Sequence, residues 1–281
     1  MRPLRVNGLE VRLAQTAREV DASQGLRYRV FYEEMGAKPS AFLAACRRDV
    51  DRYDERCDHL LVIDTERGTA KDPSVVGSYR LLKGEVAETH DGFYSQNEFD
   101  LTQLVRGRED ILELGRSCID SDYRSRGTIQ LLWRGLAQYI FDQGVRYLFG
   151  CASFPGTDPD EVKLPLSYLY HHHLAPTKIR TRARTKHSVE MNMMDKDTID
   201  ARQAFRELPP LIKGYLRVGC VVGDGAVIDH QFNTIMTNIV IDTQAITRKY
   251  LDHYTPQADS FAPHNPAEPV MTTPEPLAPC V

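Results

Sequence analysis

The chain has 281 residues, 42% hydrophobic and 26% charged, a globular composition with room for one large domain or two small ones. A formal charge of −4 excludes a surface that binds nucleic acid over its whole extent, and no apolar run reaches the roughly 18 residues that a membrane-spanning helix requires. Six cysteines (Cys46, Cys57, Cys118, Cys151, Cys220 and Cys280) form no C-x-x-C pair, and the amino terminus lacks the apolar stretch of a secretory signal, so a cytoplasmic protein with scattered, reduced thiols is expected.

LEVRLAQ (Leu9–Gln15) alternates apolar and polar residues and predicts a strand; Val20–Met35 predicts a helix with Leu26, Val30 and Phe31 on one stripe. HLLVID (His59–Asp64) and VVGSYRLL (Val75–Leu82) are β-rich runs joined by the polar TERGTAKDPS, a hairpin-like arrangement. ILELGRSCID (Ile111–Asp120) predicts another strand. It runs through YRSRG into a helix over Thr128–Gln143, where Ile129, Leu132, Trp133, Leu136 and Ile140 recur at helical spacing. Gly144 ends that helix, and VRYLFGCASF (Val145–Phe154) follows as a strand, making a βαβ unit whose two strands should be parallel neighbours.

PGTDPDEVKLPLSYLY then supplies a turn and a further helix. From Lys186 a second α+β section contains HSVEMNMM, the helix-like AFRELPPLIKGYLRVG, and TIMTNIVID. The last 27 residues, 255–281, hold seven of the sixteen prolines and no lysine or arginine, too little apolar surface to offset the entropy of ordering. The expectation is one α/β domain over 1–254, built on a mixed sheet flanked by helices. Residues from about 186 to 254 form its α+β extension, and 255–281 a disordered tail.

YRSRGTI stands where the Ile111 strand hands over to its helix. Backbone N–H groups at a helix start attract anions, Arg124 and Arg126 add charge, and Gly127 permits close approach. The segment is a candidate cradle for pyrophosphate or phosphopantetheine; the alternative is a solvated basic turn. It carries neither a Walker lysine nor the three-glycine dinucleotide fingerprint.

Arg124 and Gly127 resemble the coenzyme signature [Q/R]-x-x-G-x-[G/A] of the GNAT acyltransferase superfamily, with Ile129 where a small residue is usual. That departure suits enzymes whose donor is acyl carrier protein rather than coenzyme A. The order Arg27 and Phe31, Asp51 and Asp54, Arg80, then Glu113 and Arg116 resembles the acyl-homoserine-lactone synthases, although the tryptophan expected soon after the phenylalanine is missing. The longer strings ELGRSC, YLFGCASFPGTD, LPPLIKGYLRVG and GDGAVIDHQF look more like the N-acyltransferases of ornithine-lipid synthesis. This resemblance runs from about Leu9 to Ile241 and implies a GNAT-like fold. It also implies direct transfer of a 3-hydroxyacyl chain from acyl carrier protein to the α-amine of L-ornithine, with no covalent enzyme intermediate and no tightly bound cofactor. Its rivals are a related enzyme acting on another amine, and a non-catalytic module that binds carrier protein or lipid.

An amine attacks a thioester only when neutral, so a general base is needed, and Glu113 is the first candidate. Strand alternation sets Glu113 and Gly115 on one face and Arg116 on the other; a bulge could bring both charges to one cleft, and the sequence shows none. Substrate binding by Glu113, or an ion pair between Glu113 and Arg116, is the alternative. Arg80 or Arg116 can hold the acceptor's carboxylate, and Asp51 or Asp54 its second ammonium, unless DVDRYDERCD is a self-neutralising loop. Arg27 would close the amino-terminal helix over the site, with Phe31 as core or acyl-pocket lining. The resemblance implies an oxyanion donor from the backbone near Cys118 and Ile119, and it leaves Cys118 and Cys151 as packed thiols.

IRTRARTK places Arg180, Arg182, Arg184 and Lys186 at alternate positions. In extended form they would present one basic face to acidic carrier protein or to the inner membrane, as against a solvated loop. The consecutive His171, His172 and His173 cannot all face one ion from a helix, and no metal site is expected.

Overall fold

The structure is a computed structural model describing residues 1–124, 126–184 and 187–246. The expected tail, 255–281, and the end of the extension, 247–254, lie outside the described residues.

Strands β1 (Leu4–Val6) and β2 (Leu9–Leu13) form a hairpin whose turn residues Asn7 and Gly8 both have positive φ, 48° and 76°. Helix α1 (Ala17–Tyr28) starts where the Thr16 side chain accepts the Glu19 N–H, and it continues as a π-helical segment, Arg29–Glu34. After the short α2 (Ala41–Cys46), β3 (Asp58–Asp64) and β4 (Ser74–Lys83) pair antiparallel as the expected hairpin. Three short elements follow: α3 (Gly84–Glu88), β5 (Phe99–Asp100) and α4 (Thr102–Val105).

The βαβ unit consists of β6 (Ile111–Ile119), α5 (Arg126–Asp142) and β7 (Tyr147–Pro155). Beyond it come α6 (Lys163–His173), β8 (Arg182–Ala183), β9 (Ser188–Val189), α7 (Ala201–Glu207), α8 (Pro210–Arg217), β10 (Val221–Asp229) and β11 (Thr234–Asp242). The single helix suggested by AFRELPPLIKGYLRVG is thus two. Pro209 drives Leu208 into extended backbone (φ −61°, ψ 141°), and this breaks the helix.

The strands lie in the order β1-β2-β3-β4-β6-β7-β11-β10-β8-β5, with β9 against β10. Residues from the carboxy-terminal section complete this sheet: β11 pairs antiparallel with β7 along its whole length, Thr234 opposite Pro155 through Asp242 opposite Tyr147. The β6–β7 contact is parallel but brief. It runs from Ile111–Tyr147 to Glu113–Phe149, and beyond that point the strands part. Gly150 sits where they are closest, and a Cβ there would stand 2.2 Å from the Leu114 carbonyl oxygen.

Alternation along β6 and β7 divides the core. Leu112, Leu114 and Leu148 pack with Leu132 and Leu136 of α5, while Ile111 and Phe149 pack on the other face with Phe93, Phe99 and Leu104. Leu26 and Val30 fasten the first helix onto Leu61, Ile63 and Val75. Among the described residues no helix is long and apolar enough to cross a membrane.

Candidate active site

The gap between the parted strands is a cavity of about 170 Å³, walled by β6 from Glu113 to Ile119 and by Cys151–Ser153 of β7. Two irregularities shape it. In β6 the register shifts between the pairs Arg80–Gly115 and Ser78–Cys118, so Arg116 and Ser117 together face Tyr79. Arg116 has φ 52°, a left-handed conformation that costs a non-glycine residue about 1–2 kcal/mol. This is the bulge that simple alternation does not reveal, and with it Glu113 and Arg116 both line the cavity. The second is the π-helical segment after α1, which sets Phe31 against the cavity; its ring meets Phe232 edge-on at 5.9 Å.

Glu113 is buried and has no cationic partner within ion-pair distance among the described residues. Its Oε1 accepts the Ser95 N–H at 2.7 Å and the Ser95 hydroxyl at 2.6 Å, and its Oε2 accepts the Tyr94 N–H at 2.8 Å. Burial pushes the carboxyl above the usual carboxylate range; the Ser95 and Tyr94 donors and the positive charge of Arg80 oppose that rise without cancelling it. The Glu113–Arg116 ion pair does not form. Arg116 instead reaches Asp49 (Nε–Oδ2, 3.0 Å) and Asp51 (Nη2–Oδ2, 3.2 Å), and it lies 4.8 Å over the Tyr94 and Phe232 rings.

Beside the cavity, three arginines interlock with three aspartates. Arg27, fully buried near the end of α1, grips Asp54 with both Nη atoms at 2.8 Å, lies 2.9 Å from Asp49 through Nε, and donates to the Asp49 carbonyl. Arg80 of β4, which lines the cavity, donates through Nη1 to Asp51 at 2.6 Å and Asp54 at 3.2 Å. Asp54 also accepts from Gln24 and from the Asp51 N–H, both at 3.1 Å, so its oxygens are fully engaged. Burial alone would raise Asp54. Its bonds to Arg27 and the nearby Arg80 outweigh that and hold it far below the usual range. Asp49 is depressed in the same way, with Arg116, Arg27 and Arg80 overcoming its burial.

Of the anion cradle, Arg124 borders the cavity. Its Nη2 bonds Glu34 at 2.6 Å while Nη1 bonds the same carboxylate, and Nε donates to the Ile119 carbonyl at 3.1 Å. Gly127 is exposed in the first turn of α5; the side chain of Arg126 lies outside the described residues. In the basic segment Arg182 and Arg184 are exposed, whereas Arg180 is half-buried and donates to the Ala175 carbonyl at 2.7 Å; Lys186 lies outside the described residues. Cys118 and Cys151 both line the cavity, and burial pushes each thiol up to about 12.

Three residues at the site carried no signal in the sequence. Tyr94 and Ser95 reach Glu113 across about eighteen residues, from a segment without periodicity, and Asp49 was one more acid in a charged loop.

Residues 26–134 match the acetyltransferase (GNAT) domain family. With acyltransferases that are 42% identical over about nine-tenths of the chain, that match makes the chain an acyltransferase of the GNAT class. An L-ornithine N(alpha)-acyltransferase of Brucella abortus is 42% identical over 259 residues, which cover 92% of each chain, and one of Rhizobium meliloti is 42% identical over 92% of this chain and 88% of its own. The chain belongs to the L-ornithine N(alpha)-acyltransferase family. The solved acyl-homoserine-lactone synthase LasI is 13% identical with a TM-score of 0.49, covering 90% of this chain and 98% of that one.

Proposed function

We propose that the protein moves a 3-hydroxyacyl chain from the thioester of acyl carrier protein to the α-amine of L-ornithine, giving a lyso-ornithine lipid. The observation that carries this reading is the shared cavity: a buried carboxylate, Glu113, with no counter-ion among the described residues, opens onto the same space as the guanidinium of Arg116. Glu113 takes a proton from the ornithine ammonium, directly or through water. The neutral amine then attacks the thioester carbon, the C–N bond forms, the C–S bond breaks, and the phosphopantetheine sulfur leaves and is protonated. A carboxylate raised by burial is a stronger base than a solvated one, and this suits it to an amine.

Arg116 and Arg80 bind the ornithine carboxylate, and Asp49, Asp51 and Asp54 hold those guanidinium groups in place. Arg27 ties the first helix to the same aspartates, and Phe31 lines the acyl path. Backbone N–H groups near Cys118 and Ile119, on the β6 edge that β7 has left, stabilise the developing oxyanion. Arg124, Arg126 and Gly127 receive the phosphopantetheine phosphate, with Arg124 released from Glu34. Arg180, Arg182, Arg184 and Lys186 dock the acidic carrier protein, and the amphiphilic product brings the enzyme to the inner-membrane surface.

The test is incubation of purified protein with 3-hydroxyacyl carrier protein and a panel of amino acids, read by mass spectrometry. N-acylated ornithine is expected. Product with other amines but not ornithine would overturn the acceptor, and no product from demonstrably loaded carrier protein would overturn the reaction.

A further inference from the structure

The cavity has a second carboxylate at its border. Asp229 ends β10 and lines the same space as Glu113 and Arg116. Its Oδ1 accepts the Gln231 and Phe232 N–H groups, each at 2.9 Å, which fixes the residue in the turn leading to β11. Oδ2 makes no hydrogen bond among the described residues. The three loop aspartates are each held by arginine, and Glu113 is filled by Tyr94 and Ser95, but Asp229 has no ion-pair partner among the described residues. Glu113, Cys151 and Asp229 line the same cavity, and the charges of both carboxylates add to the rise that burial gives the Cys151 thiol.

An acceptor of the proposed reaction carries three polar ends: a carboxylate, the amine that is acylated, and a second ammonium on the side chain. Arginines serve the first and Glu113 the second. The third needs an anion that no guanidinium has already neutralised, and among the carboxylates bordering the cavity Asp229 meets that condition. Phe232 beside it, packed against Arg116 and Phe31, offers an apolar surface for the intervening methylenes. Resting on the ornithine reading above, we propose that Asp229 is the residue that selects a diamino acid by binding its side-chain ammonium.

The test compares L-ornithine with L-norvaline, which has the same carbon chain without the second amine, using loaded 3-hydroxyacyl carrier protein and the full chain. The native enzyme is expected to favour ornithine. Asp229→Asn keeps the Oδ1 acceptor of the turn, so its melting temperature should match the native one. Its kcat/KM for ornithine should fall roughly tenfold to a hundredfold, mainly through KM, while norvaline turnover changes little. Asp229→Glu, which advances the charge by one methylene, should shift preference toward 2,4-diaminobutyrate. Equal losses for ornithine and norvaline in Asp229→Asn, or an ornithine preference that survives it, would overturn the assignment. A native enzyme that takes norvaline as readily as ornithine would overturn it too, while leaving the acyl transfer standing. Absence of any product would instead remove the underlying reaction.

Discussion

Glu113 is buried with no counter-ion among the described residues, and two opposing influences set its protonation. Burial favours the neutral acid, and three donors from Tyr94 and Ser95 favour the anion. Glu113→Gln keeps the shape and removes the proposed base, so kcat should fall about 10²–10⁴-fold in a steady-state assay; its NH2 must also replace one acceptor facing the Tyr94 or Ser95 N–H, so thermal unfolding should show a lowered melting temperature, and the assay is run where the variant is folded. Ser95→Ala deletes one donor to the ionised form. The pKa of Glu113 should rise further, and the acidic limb of the kcat/KM profile should move to higher pH; an unmoved limb would separate Ser95 from the titration. Glu113 was legible in the sequence because it sits on a strand that leads directly into a basic glycine turn. Its keepers were not. They come from a stretch with no periodicity, and only the folded chain brings them near.

Among the elements, those with a clear period were legible: the β3–β4 hairpin, the β6–α5–β7 unit and its parallel strands all follow from alternation and helical spacing. The departures from period were not. Positive φ falls on Arg116, whereas the glycine of ELGR stands one residue earlier, so nothing in the sequence marks the bulge. The π-helical segment after α1 reads as plain helix, and the two prolines that divide α7 from α8 sit inside a pattern that otherwise continues. The close approach of β7 to β6, just before the strands part, depends on Gly150. Gly150→Ala drives a methyl group into the Leu114 carbonyl, so backbone must move; a loss of about 1–3 kcal/mol in urea unfolding is expected, with acyl transfer falling as the cavity wall shifts.

At the scale of the whole molecule, the arginine–aspartate lattice joins the first helix, the acidic loop and strands β4 and β6. Arg27→Met leaves Asp49 and Asp54 buried without their shared cation, and a loss of about 3–5 kcal/mol is expected at neutral pH. The pH dependence has a definite sign. Both carboxyls titrate below their unfolded value of about 3.9, so their contribution is complete above that pH and fades as pH falls through the depressed values. The stability gap between native protein and Arg27→Met should therefore narrow in urea titrations taken from pH 7 to below pH 4. Six charges that cancel one another also limit how the sequence can drift. Removing any one strands a neighbour in the interior, so a lineage reaches a different arrangement only through paired changes. This half of the site should therefore hold still over spans of descent in which solvent-exposed side chains away from the cavity are freely exchanged.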